Sequence, residues 1–236
     1  MDVRRQCMIV SIVAGGIVSP LRGQAMRELT PEQRTAIDAG QDVFMTWPVS
    51  GSSWPRACVF RFIDATPEAA AAVFTDYERH VAYIPDLTKA KVSRIIDPAT
   101  VEVDYRLRVP IVADEDYTVR DHLSSAGDTS FMVEWTLVRA TTTKATEGNV
   151  RFEPYRAATS PRGGTLMAYC NLVTPGSRLA GLHFIRTRAL SQVRETARAI
   201  GAEITRQRAS DPARLAVEVR ALRVALAAPA ARATAP

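Results

Sequence analysis

The sequence predicts an α+β domain: an antiparallel sheet laid out as a meander and crossed by one long C-terminal helix. Three observations carry this. Several segments in succession alternate apolar and polar residues with period two, the pattern of strands with one wet and one buried face. No helical pattern separates them, which excludes βαβ units and a parallel sheet. After Pro175-Gly176 the period changes. From Ser177 to about Arg208, Leu182, Ile185, Ala189, Val193, Ala197, Ile200 and Ile204 recur at helical spacing. About 30 residues at 1.5 Å each extend roughly 45 Å, enough to cross a whole sheet.

The elements follow in chain order. Met1 to Arg5 is short and basic, the run Cys7–Val18 is apolar but too short to span a bilayer, and Gly23-Gln24-Ala25 supplies small residues. This is a secretory signal pattern, so residues 1–25 are expected to be removed after Ala25 and the product to be periplasmic or secreted. No later stretch reaches membrane-spanning length, and no stable membrane span is expected. Residues 26–55 form an N-terminal helix and linker: Thr30 is a candidate N-cap with Pro31 behind it, the helix runs to about Phe44, and Pro48 to Pro55 is a loop. Ala57 to Ile63 suits a strand. Thr66-Pro67-Glu68 then caps, pre-sets and charges the start of a helix through Phe74, and a second helical turn stops at Tyr83-Ile84-Pro85.

The alternation is clearest over Val101–Val109, Tyr117–Leu123 and Phe131–Leu137, with shorter strands at Lys91–Ile96, Asn149–Tyr155 and Thr165–Val173. Asp97-Pro98, Ala126-Gly127-Asp128, Glu147-Gly148-Asn149 and Arg162-Gly163-Gly164 are hairpin signals between them. Residues 209–236 form a tail. It carries a second amphipathic piece, with Leu215, Val219, Leu222 and Leu226 on one face, and an Ala/Pro-rich end that is expected to be frayed and disordered. Such a face allows weak contact with a membrane surface or a protein.

Length and composition fit one globular domain with extensions: 236 residues, 47% hydrophobic and 23% charged. The net charge of +5 sits at the ends. Three arginines against one acid in residues 1–25, and four against two in 209–236, give +2 each and leave +1 for residues 26–208. The folded part has no positive field for phosphate, so no nucleic-acid partner is expected. Removal of the leader leaves Cys58 and Cys170, an even pair that permits one disulfide or stands as two small buried thiols.

Strand, two short helices, a six-strand meander and a long terminal helix is the order of the helix-grip fold. The sequence resembles the START-like (SRPBCC) superfamily, in its polyketide cyclase/dehydrase and coenzyme Q-binding branch. The residues that carry this are Ile63-Asp64-Ala65-Thr66-Pro67-Glu68, Phe74-Thr75-Asp76-Tyr77, Tyr83-Ile84-Pro85, Gly164-Thr165-Leu166 and Val173-Thr174-Pro175, over residues 56–208. The resemblance implies a strongly curved sheet whose concave face and long helix line a cavity for a lipid, sterol, quinone or polyketide-like molecule. Members are carriers or cyclases. It also implies that the first and last strands are antiparallel neighbours, which brings Cys58 and Cys170 into one region.

The residues offer walls more readily than chemistry. Tyr105, Tyr117, Phe131 and Trp135 stand on the apolar faces of their strands as cavity candidates or ordinary core, and Tyr83, Tyr169 and His183 join the candidate set. Arg61 shares a strand face with Val59 and Ile63, where its charge needs a carboxylate such as Glu153 or a polar ligand head; the opposite assignment turns Phe60 and Phe62 inward and Arg61 outward. His80 is a general-base candidate or an exposed helical histidine, and His122 faces water. No phosphate loop, metal-spaced His/Cys cluster or nucleophile elbow occurs, so no cofactor or metal is expected. The reading is a binding module for an apolar small molecule, with a cyclase or dehydratase working in the same cavity as the alternative.

Overall fold

A computed structural model describes residues 24–109, 114–158, 160, 162–176 and 183–227. Two short helices, α1 (Gln24–Arg27) and α2 (Pro31–Asp38), precede strand β1 (Val43–Trp47). Strand β2 (Arg56–Ile63), helix α3 (Pro67–Thr75) and a 3₁₀ helix (Tyr77–Ala82) follow. The meander is β3 (Leu87–Asp97), β4 (Thr100–Leu107), β5 (Glu115–Ala126), β6 (Ser130–Ala140), β7 (Thr143–Tyr155) and β8 (Gly164–Pro175). Helices α4 (His183–Ser210) and α5 (Pro212–Ala227) close the described chain. The leader residues 1–23, the expected cap at Ser177 and the end from residue 228 lie outside the described residues.

Local chemistry explains the helix starts. Thr30 accepts from the Gln33 N–H while the Gln33 side chain answers the Thr30 N–H, a reciprocal cap, and Thr66 accepts from the Ala69 N–H at 3.2 Å with Pro67 next in line. One expectation is corrected at the first helix. It ends at Asp38 rather than near Phe44, Gly40 turns the chain at φ 76°, and Val43–Trp47 is a strand. Val-Phe-Met-Thr-Trp is rich in β-branched and aromatic residues, and pairing with β2 decides its state.

All eight strands form one antiparallel sheet in the order β1-β2-β8-β7-β6-β5-β4-β3. The closure of β2 on β8 sets Cys58 directly opposite Cys170, and the two are joined in a disulfide across 112 residues of sequence. The sheet has two packed faces. On one, Val59, Ile63, Val103, Val119, Val133, Val150 and Met167 meet α3, α4 and α5. On the other, Cys58, Phe60, Leu166, Ala168 and Cys170 meet α1 and α2. Strands β2 and β8 are therefore covered on both sides, which is why both alternating sets of residues 57–63 are apolar. The Val59/Ile63 set, with Arg61, is the one under α4.

The α1–α2 layer is held by more than apolar contact. The Ala25 N–H donates to Glu153 at 3.0 Å and Arg151 pairs with Glu28 at 2.6 Å, both across β7. Helix α5, the expected amphipathic piece, packs on the fold: Leu222 is buried against the core, and Arg223–Glu68 and Arg214–Asp76 pairs tie it to α3 and its C-cap. No helix among the described residues is long and apolar enough to cross a membrane.

Candidate functional site

The concave sheet, α3, the 3₁₀ helix and α4 enclose a cavity of about 520 Å³. Its sheet wall is the inward phase of the alternating strands: Tyr105 and Leu107 from β4, Tyr117, Val119 and Asp121 from β5, Trp135 and Leu137 from β6, Tyr169 and Val173 from β8. Ile185, Ala189 and Val193, one i, i+4 row of α4, form the opposite wall. Phe74 and His80 close one end, and Glu115 and Thr142 also border the space.

Tyr105, Tyr117, Trp135 and Tyr169, all read from the sequence as candidates, meet here. Ring centroids lie 5.4 Å apart for Tyr105–Tyr117 and 5.5 Å for Trp135–Tyr169. The Trp135 indole lies flat across β7 because its cross-strand partner is Gly148; a Cβ at that position would come within 2.3 Å of the ring. Its N–H donates to the Asn171 side-chain oxygen at 3.4 Å.

The remaining candidates are elsewhere. Phe131 is buried in the same core but is not part of the wall. Arg61 packs beneath Gly201 of α4 and pairs with Asp42 at 3.4 Å, so its partner is neither Glu153 nor the cavity. The Tyr83 hydroxyl is buried without a hydrogen-bond partner among the described residues, beside the charges of Asp76, Arg79, Glu203 and Glu218 and also outside the wall. His183 begins α4, and its side chain lies outside the described residues. His122 is exposed on the outer face of β5, within 2.9 Å of the Thr100 hydroxyl.

His80 is buried, not an exposed helical residue. Its Nε2 lies 2.8 Å from the Phe74 carbonyl oxygen, which can only accept, so Nε2 carries the hydrogen. Nδ1 then accepts from the Tyr105 hydroxyl at 3.0 Å. Burial holds the imidazole down to about 4, and both nitrogens are committed, so His80 positions Tyr105 and has no free lone pair for a substrate proton.

Asp121 is the group that stands out. It is 3% exposed, lines the cavity, and its Oδ2 has no hydrogen-bond partner among the described residues. Burial pushes its carboxyl up to about 8, with no cation among the described residues to oppose it. Desolvation also raises the Tyr77, Tyr105, Tyr117 and Tyr169 hydroxyls, and the nearby Asp121 charge adds to each. The sequence held the signal: Asp121 stands in the apolar phase of Tyr117, Val119 and Leu123. An acid in that phase is what finds it. Glu115 is the opposite case. Burial would raise it, but the Thr142 hydroxyl and the Thr142 and Thr143 N–H groups donate to it and hold it below the usual carboxylate range.

Arg188 borders the cavity but is paired with Asp86 at 2.6 Å and Glu195 at 3.2 Å. No group of three His, Cys, Asp or Glu able to hold a metal ion occurs among the described residues.

No family model matches the chain, and no curated protein matches it. Solved structures do. A STAR-related lipid transfer protein fragment from Xanthomonas axonopodis superposes at TM-score 0.59 with 14% identity, over 69% of this chain and 93% of that one. Human StAR-related lipid transfer protein 5 gives 0.56 with 9% identity, over 71% and 83%. The Zhui aromatase/cyclase from Streptomyces sp. R1128 gives 0.51 with 13% identity, over 71% and 96%. At these identities the likeness is one of fold.

Proposed function

From a chain that has the START-like helix-grip fold, we propose that the cavity binds an apolar small molecule and carries it. The observation that carries this reading is the cavity itself: about 520 Å³ of space walled by aromatic and aliphatic side chains at the centre of the fold. Small-molecule sites run from roughly 300 to 1,000 Å³ and join mostly apolar walls to a few placed polar groups, and this wall has that make-up. The two lipid transfer proteins with the same fold support the same reading. Native mass spectrometry of protein purified from its own host, followed by denaturing release, tests it. A lipid-like molecule at near one-to-one ratio is expected. An empty protein that also fails to bind an apolar fluorophore such as 2-ethylanthracene overturns the reading.

A second reading, cyclase or dehydratase chemistry in the same space, rests on Asp121: a protonatable carboxyl among tyrosines in a mostly apolar cavity is a candidate general acid, and the aromatase/cyclase shares the fold. Arg61 and His80 do not add to it, one being outside the wall and the other fully committed. Turnover of a polyketide-type substrate that disappears in Asp121→Asn, with binding kept, would favour the enzyme.

We also propose an exported carrier. The leader pattern and the Cys58–Cys170 disulfide both support an oxidising compartment. Cell fractionation with N-terminal sequencing tests this; full-length protein in the cytoplasmic fraction overturns it.

A further inference from the structure

Three donors of the cavity wall are already spent inside the protein. The Trp135 N–H goes to Asn171, the His80 N–H to the Phe74 carbonyl and the Tyr105 hydroxyl to His80. Asp121 differs. Among the described residues its Oδ2 has no partner and no ion pair involves it, and it is 3% exposed in the cavity it lines. A carboxylate without donors in such a place is costly, and the usual relief is to keep the proton. We propose that Asp121 is held as the neutral acid and donates a hydrogen bond to an acceptor oxygen, a ketone, quinone or ester carbonyl, on an otherwise apolar ligand. This rests on the carrier reading and names the polar end of its cargo.

The charged and titratable groups around Asp121 agree. From the 3₁₀ helix comes Tyr77, from β4 Tyr105, from its own strand Tyr117 and from β8 Tyr169, while neutral His80 and Glu115 border the same cavity further off. On β6, Trp135 stands opposite. The α4 cation at the cavity, Arg188, is bound to Asp86 and Glu195, and Arg214 of α5 to Asp76 and Glu218. None supplies a counter-ion to Asp121. Burial, which places its titration near 8, supports the same state.

Three isosteric probes test this: 2-ethylanthracene, 2-acetylanthracene and 2-(1-aminoethyl)anthracene, titrated by fluorescence into the disulfide-bonded protein at pH 6 and pH 9. At pH 6 the ketone should bind about fivefold to tenfold tighter than the hydrocarbon, the worth of one hydrogen bond. That ratio should collapse at pH 9. In Asp121→Asn, whose amide still donates, the ratio should persist at both pH values; in Asp121→Leu it should be near one at both while the hydrocarbon still binds. Carboxyl ¹³C NMR of the ligand-free protein should show an aspartate titrating near pH 8 that is missing from Asp121→Asn.

Equal binding of ketone and hydrocarbon at pH 6 overturns the proposal and leaves the carrier reading standing. Tightest binding of the amine overturns it in favour of an ionised Asp121 that takes a cation, as does a midpoint near 4 in the NMR titration. If none of the three probes binds, the proposal and the carrier reading fall together.

Discussion

The two faces of the β2–β8 ribbon are built to opposite ends. On the α1–α2 side, Phe60, Leu166 and Ala168 are fully buried, and Cys58 and Cys170 are bonded across the ladder between them. On the α4 side the same strands present Ala57, Tyr169, Asn171 and Val173 to the cavity. One face is packed to hold the sheet closed. The other gives up packing to keep room, and the cavity it borders also takes in Asp121 of β5, whose buried Oδ2 has no hydrogen-bond partner among the described residues. Stability should therefore be concentrated on the outer face and binding on the inner one.

The largest expected effect tests the outer face. Phe60→Ala removes a fully buried ring and should cost about 4 kcal/mol in denaturant unfolding. Probe affinity of the protein that remains folded should be unchanged. A large loss of affinity at constant stability would erase the division. Cys58→Ser with Cys170→Ser comes next. The bond closes a loop of 112 residues, and its removal should cost about 3 kcal/mol, again with binding unchanged in the folded fraction.

The inner face should show in the pH dependence of stability, about 2 kcal/mol. Asp121 has a folded pKa near 8, raised by burial above the ordinary 3.8, so its favourable contribution is whole at low pH and is lost as pH rises toward 8. His80 runs the other way: with a folded value of about 4 against 6.5, its contribution is whole above 6.5 and is lost as pH falls. Between 4 and 6.5 the two slopes oppose. From pH 6.5 to 8 Asp121 acts alone, and at 1.36 kcal/mol per unit stability should fall by about 2 kcal/mol. Asp121→Asn should remove that fall and uncover the rise below 6.5 due to His80. Denaturant midpoints across pH measure both, and an unchanged profile in Asp121→Asn would place the titration elsewhere.

Much of this contrast was open to the sequence, and the failures have physical causes. Caps at Thr30 and Thr66 are local, so residue type and spacing suffice to find them. Strands β4, β5 and β6 have one wet face, and their alternation delivers Tyr105, Tyr117 and Trp135 to the wall. Strand β2 is buried on both faces, so alternation does not say which set looks inward, and no local pattern points to the partner of Arg61, Asp42 just before β1, rather than Glu153. Strand β1 depends on pairing with β2, which no local pattern reports. Tyr83 and Phe131 have the chemistry of wall residues; their distance from the cavity follows from how the 3₁₀ helix and β6 sit in the fold.

The smallest effect sets two glycines against each other, one on each face. Gly148 lies opposite Trp135, and a Cβ there would come within 2.5 Å of two indole atoms and 2.4 Å of the Cys170 carbonyl oxygen. Gly164 starts β8 on the outer side, and a Cβ there would meet the Ile63 carbonyl oxygen at 2.5 Å and the Phe62 ring at 2.6 Å. Both Gly→Ala changes force overpacking against backbone as well as a ring, and each should cost about 1.5 kcal/mol. Their effects on binding should part. In Gly148→Ala the indole has to leave β7, which changes the cavity wall and should weaken 2-ethylanthracene several-fold; in Gly164→Ala the displaced ring is Phe62, which is not part of the cavity wall, and affinity should hold. Equal losses of affinity would mean that strain in the ribbon passes through the sheet, and that the two faces are not independent.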